Sequence, residues 1–120
     1  MASITQKTTS KAYGWRPDLP DKRDLYRRFV PQSLSSLPAK VDLRNGCPDV
    51  YDQGRLGSCT ANAIGAAHQF QQIRQSRRGR SFMPSRLFIY WHERYLEGTV
   101  NQDAGAYIRD GIKVLVKRGV

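Results

Sequence analysis

The residues best equipped for chemistry in this 120-residue sequence lie in one short run, Gln53-Gly54-Arg55-Leu56-Gly57-Ser58-Cys59. A glycine-bearing loop delivers a cysteine to the start of an alanine-rich stretch, residues 58–75. Ser58 is of the type that caps helices, which sets Cys59 in the first turn. Backbone N–H groups there lack intrahelical partners and the helix dipole is positive. Both effects stabilise a thiolate, the form a nucleophilic cysteine must take. Gln53, six residues upstream of Cys59, carries an amide that can curl back beside the thiol and donate to a developing oxyanion. The Cys59 backbone N–H would be the second donor. A cysteine alone is more often a small buried hydrophobe; the Gln-Gly-x-x-Gly-Ser-Cys setting reverses that preference.

Such a cysteine needs a base, and the sequence holds two histidines. His68 stands nine residues after Cys59. Nine helical steps of about 100° place it on the opposite face, roughly 13 Å along the axis, so it reads as a partly exposed helix residue. His92 sits amid Tyr90, Trp91, Arg94 and Tyr95 and reads as packed or surface. Cys47 precedes Pro48 in a turn and reads either as a free, inert thiol or as a partner for a cysteine in a further half of the domain. Pairing it with Cys59 would destroy the nucleophile. Two cysteines build neither a disulfide framework nor a paired-Cys zinc site, so no metal and no cofactor are expected.

The elements that must position these residues follow from periodicity and punctuation. Residues 1–37 read as an extension rich in Ser, Thr, Lys and Arg, with Pro17, Pro20 and Pro31 breaking any long helix. Within it, Asp21–Phe29 is either a short helical turn or an extended strip laid over the body. Residues 38–57 read as irregular chain, with a short strand at Lys40–Leu43. Ala61, Ala63, Ile64, Ala66, Ala67, Phe70 and Ile73 follow helical spacing. A second helix spans 84–97, with Pro84 in its first turn, Gly98 past its end and Leu87, Tyr90, Trp91 and Tyr95 as its apolar stripe. Residues 99–105 form a loop. A third helix, 106–118, presents Ile108, Gly111, Ile112, Leu115 and Val116 and stops at Gly119.

The Gln53–Cys59 block resembles that of the papain-like cysteine peptidases, of the bacterial type. Leu37-Pro38-Ala39-Lys40-Val41-Asp42-Leu43-Arg44 looks like the Pro-x-x-Val-Asp-Trp-Arg start of a mature enzyme of that family. Asp103-Ala104-Gly105-Ala106, with the helix ending at Lys117-Arg118-Gly119-Val120, is similar to the family's glycine-containing substrate wall and next helix. The resemblance implies an α+β papain-like fold, of which residues 38–120 are the left, mainly helical subdomain, truncated before the β-rich half. It implies a cysteine-type endopeptidase with Cys59 as nucleophile, Gln53 in the oxyanion hole, and Gly57, Ser58, Ala104 and Gly105 binding substrate. Base histidine and asparagine would lie about 130–150 residues beyond the cysteine, so the chain alone is expected to be inactive and to need a C-terminal half as partner. Three departures stand out. Thr60 replaces a tryptophan, and Leu56 replaces a cysteine normally disulfide-bonded, near whose usual partner Asp103 falls. The extension is also too short for the usual helical prodomain. Residues 1–36 would instead lie along the cleft and inhibit, anchored by Tyr13, Trp15, Tyr26 and Phe29.

Composition sets the outer bounds. Lys and Arg number 20 against 10 Asp and Glu, a formal net charge of +10. The alternative reading is therefore a basic binding module for nucleic acid or another anionic polymer, with an incidental cysteine. The excess is concentrated in the extension and in Arg74, Arg77, Arg78 and Arg80, and no nucleic-acid-binding motif accompanies it, so no specific nucleic-acid partner is expected. No run of about 18 apolar residues occurs, and residues 1–15 lack the apolar core of a signal peptide. The expectation is no membrane span and a cytoplasmic or non-classically exported protein.

Overall fold

A computed structural model of the chain describes residues 13–26, 37–76 and 80–120. Three helices carry the body: α1 over Cys59–Gln75, α2 over Arg86–Leu96 and α3 over Ile108–Arg118. Two short strands, β1 at Trp15–Arg16 and β2 at Ala106–Tyr107, pair in parallel, Trp15 opposite Ala106 and Arg16 opposite Tyr107. The expected third helix thus loses its first two residues to β2, because Ala106 donates its N–H to Gly14 O at 2.8 Å instead of entering the helix. Lys40–Leu43 is not a strand; a 3₁₀ turn at Arg44–Gly46 follows it, nucleated where the Asp42 carboxylate accepts from the Arg44 N–H at 3.1 Å.

Helix ends mostly follow their sequence signals. α2 starts two residues later than expected, at Arg86, which leaves Pro84 before the helix and makes Ser85 its cap, the hydroxyl accepting from the Phe88 N–H at 3.3 Å. Gly98 and Gly119 take φ of +71° and +74° just beyond α2 and α3, conformations that cost other residues a Cβ clash.

The buried core is small: Ala61, Ile64, Ile89, Tyr90 and Ala106, with Leu56, Ile108, Leu115 and Val120 packed against it. Gly111 brings α3 close. A Cβ there would sit 2.2 Å from Glu93 Oε1 and 2.3 Å from Ile64 Cδ1. The expected apolar stripes of α2 and α3 are only partly the buried ones. Leu87, Trp91, Tyr95, Ile112 and Val116 are exposed, whereas Ile89, Glu93 and Val114 are buried. On α2 a second ridge four residues apart runs beside the buried one. Trp91 stacks on Tyr95 with centroids 5.3 Å apart along it. A core this small covers only one face of each helix.

Residues 13–26 form an extended strap, so the strip alternative holds for 21–26, where only a turn at Lys22–Arg23 interrupts it. Phe29 lies outside the described residues. The expected aromatic anchors do not anchor: Tyr13, Trp15 and Tyr26 are 75%, 54% and 80% exposed. Polar groups hold the strap instead. Arg16 pairs with Glu97 and lies 4.3 Å over the Tyr107 ring. Arg109 donates its backbone N–H to Asp18 (3.2 Å), Nη1 to Leu19 O (2.8 Å) and Nη2 to the Asp24 carboxylate (2.8 Å). Along residues 13–18 exposed and half-buried positions alternate, as extended chain does, and a charged grip on α3 holds the side that faces the body.

Candidate active site

Cys59 is the first residue of α1, half-buried and with a free thiol. Ser58 is buried (3% exposed), yet its side chain makes no cap bond. Its hydroxyl and carbonyl instead accept from the Asn62 amide at 3.1 and 2.8 Å. The capping expectation for Ser58 is therefore corrected: Asn62, one turn on, competes for the hydroxyl. The consequence favours chemistry, since among the described residues the Ser58 side chain leaves the first-turn N–H groups of α1 uncapped.

The loop before Cys59 is fixed at several points. Gln53 is half-buried and donates Nε2–H to Leu56 O at 2.8 Å, so its amide turns back into the loop that carries the cysteine. An amide nitrogen has two hydrogens, and one remains for another acceptor. Gly54 adopts φ of +62° and donates to Asp52 Oδ1 at 3.0 Å. Arg86, from α2, donates to Asp52 O (3.1 Å) and Asn62 Oδ1 (2.7 Å) and lies 4.7 Å over Tyr51. Sequence reasoning missed Asn62 and Arg86; an arginine at the first position of a helix carries no local signal of what it reaches.

Gly57 and Gly105 come together. The Gly57 N–H donates to both Asp103 oxygens at 3.0 Å, Tyr90 donates its O–H to Asp103 Oδ1, and the Gly105 N–H donates to the Tyr90 oxygen at 3.2 Å. Burial, then the Asp103 hydrogen bond, pushes the Tyr90 phenol up to about 12, so it remains a donor. Ala104 lies half-buried between Asp103 and Gly105. Gly14 of the strap enters the gap between the two glycines. A Cβ on it would fall 2.0 Å from Gly57 O and 2.7 Å from Gly105 Cα. The strap thus covers the edge formed by Gly105–Tyr107.

Behind α1, Thr60 donates its hydroxyl to Glu93 Oε2 at 3.0 Å. Glu93 is fully buried, and Oε1 has no hydrogen-bond partner among the described residues. Burial raises its carboxyl from 4.5 to about 7; the Thr60 hydrogen bond and Arg94 pull it down, and Asp110 adds to the rise. Thr60, which departs from the family's tryptophan, therefore points to this carboxyl in the core.

The histidines stay apart from this arrangement. His68 meets the Phe82 ring edge-on at 6.1 Å, and His92 packs on Phe88 and Trp91. Cys47 is exposed, its thiol 3.4 Å from Leu43 O. Among the described residues no cluster of three or more His, Cys, Asp or Glu could hold a metal ion, and no helix is long and apolar enough to cross a membrane.

No family model matches the sequence. An uncharacterized peptidase C1-like protein of Acanthamoeba polyphaga mimivirus is 40% identical over 129 residues, covering 94% of this chain and 41% of the relative. Xylellain, a cysteine protease from Xylella fastidiosa, matches in structure with a TM-score of 0.70 at 50% identity, covering 94% of this chain and 41% of that one. The chain spans about two fifths of the length of each. In sequence and in fold the chain is thus similar to the papain-like cysteine peptidases, and its three helices and small sheet correspond to the helical subdomain of that fold.

Proposed function

We propose that this chain is the nucleophile-bearing half of a cysteine endopeptidase, residues 38–120 forming the left half of the catalytic domain. The observation that carries the reading is Cys59 at the uncapped N-terminus of α1, with the Gln53 amide turned into the same loop. The Cys59 thiolate attacks the scissile carbonyl carbon and forms a C–S bond. The oxyanion takes hydrogen bonds from the free Gln53 N–H and the Cys59 backbone N–H. A histidine from a second half, paired with an asparagine, protonates the leaving amine as the C–N bond breaks. Water, deprotonated by the same histidine, then hydrolyses the thioester and frees the thiolate. Gly57, Ala104 and Gly105 offer the extended substrate backbone. Ser58 contributes through its main chain, its side chain being buried and engaged with Asn62.

Joined to or complemented by a downstream half, the chain is expected to hydrolyse peptides, and Cys59→Ala to lower turnover by about 10⁴-fold or more. Turnover at the original rate in that variant overturns the assignment. The strap supports a second element of the same reading: with Gly14 between Gly57 and Gly105, residues 13–26 occupy the edge a substrate needs and act as an inhibitor. Deleting residues 1–36 is expected to raise activity; an unchanged rate contradicts it.

A further inference from the structure

The two glycine walls are joined by a polar relay through Asp103 and the hydroxyl of the core residue Tyr90. Gly57 and Asp103 are 46 residues apart, and Gly105 and Tyr90 are 15 apart, so the relay links the nucleophile loop, α2 and the strip before β2. Each wall supplies one backbone N–H: Gly57 to the carboxylate, Gly105 to the phenol. The phenol closes the relay by donating to the carboxylate. Bonds from N–H to an ionised carboxylate are among the stronger and shorter ones, and Tyr90 is fully buried, with no freedom to follow a shifting loop. Asp103 is itself exposed and adds nothing to the apolar cluster. Its contribution lies in where it holds Gly57. The spacing it fixes is tight, because a bare Cα is all that Gly14 can place between Gly57 O and Gly105 Cα.

We propose that Asp103 and Tyr90 are positioning residues that set the distance between the nucleophile loop at Gly57 and the substrate strip at Gly105, and hence the fit of a peptide backbone to the cleft. The proposal takes its catalytic meaning from the peptidase reading, but the relay itself is testable without it. In the chain as it stands, Asp103→Ala is expected to speed amide hydrogen exchange at Gly57 about tenfold, the scale of one lost hydrogen bond, and at Gly105 by a smaller factor, through the loosened Tyr90 hydroxyl that still accepts from it. Tyr90→Phe should free Gly105 and leave Gly57 closer to its original rate. Asp103→Asn keeps an acceptor for Gly57 and Tyr90 and should recover part of both protections. In the active, assembled enzyme, Asp103→Ala should raise KM for peptides about tenfold with kcat within about threefold, while alkylation of Cys59 by iodoacetamide stays within about twofold. Unchanged exchange at Gly105 in Asp103→Ala, no recovery by Asn, or iodoacetamide reactivity falling in step with peptide turnover would each overturn the proposal. Full activity of Cys59→Ala would instead overturn the peptidase reading and leave the exchange result standing.

Discussion

Two carboxylates flank the start of α1, and they behave as opposites. In front, Asp103 is exposed and accepts from Gly57 and Tyr90. Behind, Glu93 is sealed among the three helices and, among the described residues, accepts only from Thr60 and leaves Oε1 without a partner. The front carboxylate orders loops in contact with water, where a charge costs little. The rear one stands where an unpaired charge is expensive, and its raised carboxyl reflects that. Identical chemistry therefore orders the loops before Cys59 and β2 on one side and loads the core with a costly charge on the other, so a change at either should separate activity from stability.

The largest stability effect belongs to the rear. A shift from 4.5 to about 7 corresponds to roughly 3 kcal/mol. Folded Glu93 keeps its proton in a range where the unfolded chain has lost it. Its contribution is therefore complete below pH 4.5 and disappears as pH rises to about 7 and beyond. Urea titrations should show Glu93→Gln gaining on the original chain between those limits, by up to about 3 kcal/mol at pH 8. A constant difference across the window breaks the contrast. Next comes Gly111→Ala. It would bring a methyl against Glu93 and Ile64 and cost about 1–3 kcal/mol of overpacking, despite the better helix propensity of alanine; thermal melts check it. The smallest effect lies at the front. Ser58→Ala should cost well under the ~1 kcal/mol of a lost cap, because the hydroxyl caps nothing; a full cap-sized loss would show that it does.

What the sequence made legible was what local rules govern. The three helices, the glycine stops at Gly98 and Gly119, and the placing of Cys59 in a first turn all follow from residue type and spacing over one or two turns. The Gln53 amide, read as curling back towards the cysteine, does turn into the loop before Cys59, and the resemblance added Gly57, Ser58, Ala104 and Gly105 as substrate-binding expectations. Long-range choices were not legible. Which face of α2 is buried depends on α3, which can approach only because of Gly111. Periodicity alone favoured Leu87, Tyr90, Trp91 and Tyr95, of which the core took only Tyr90, adding Ile89 and Glu93. The strap's grip was hidden for the same reason. Aromatic residues looked like anchors, but Arg16, Asp18 and Asp24 find partners 81–91 residues away in sequence.

The central claim is that Cys59, and not Cys47, is the nucleophile. Mass spectrometry of the assembled protein after brief exposure at pH 6 to a peptide-bearing electrophile tests it most directly. One adduct at Cys59, formed far faster than any at Cys47 and lost in Cys59→Ala, is the predicted result. Equal, slow labelling of the two thiols would contradict it.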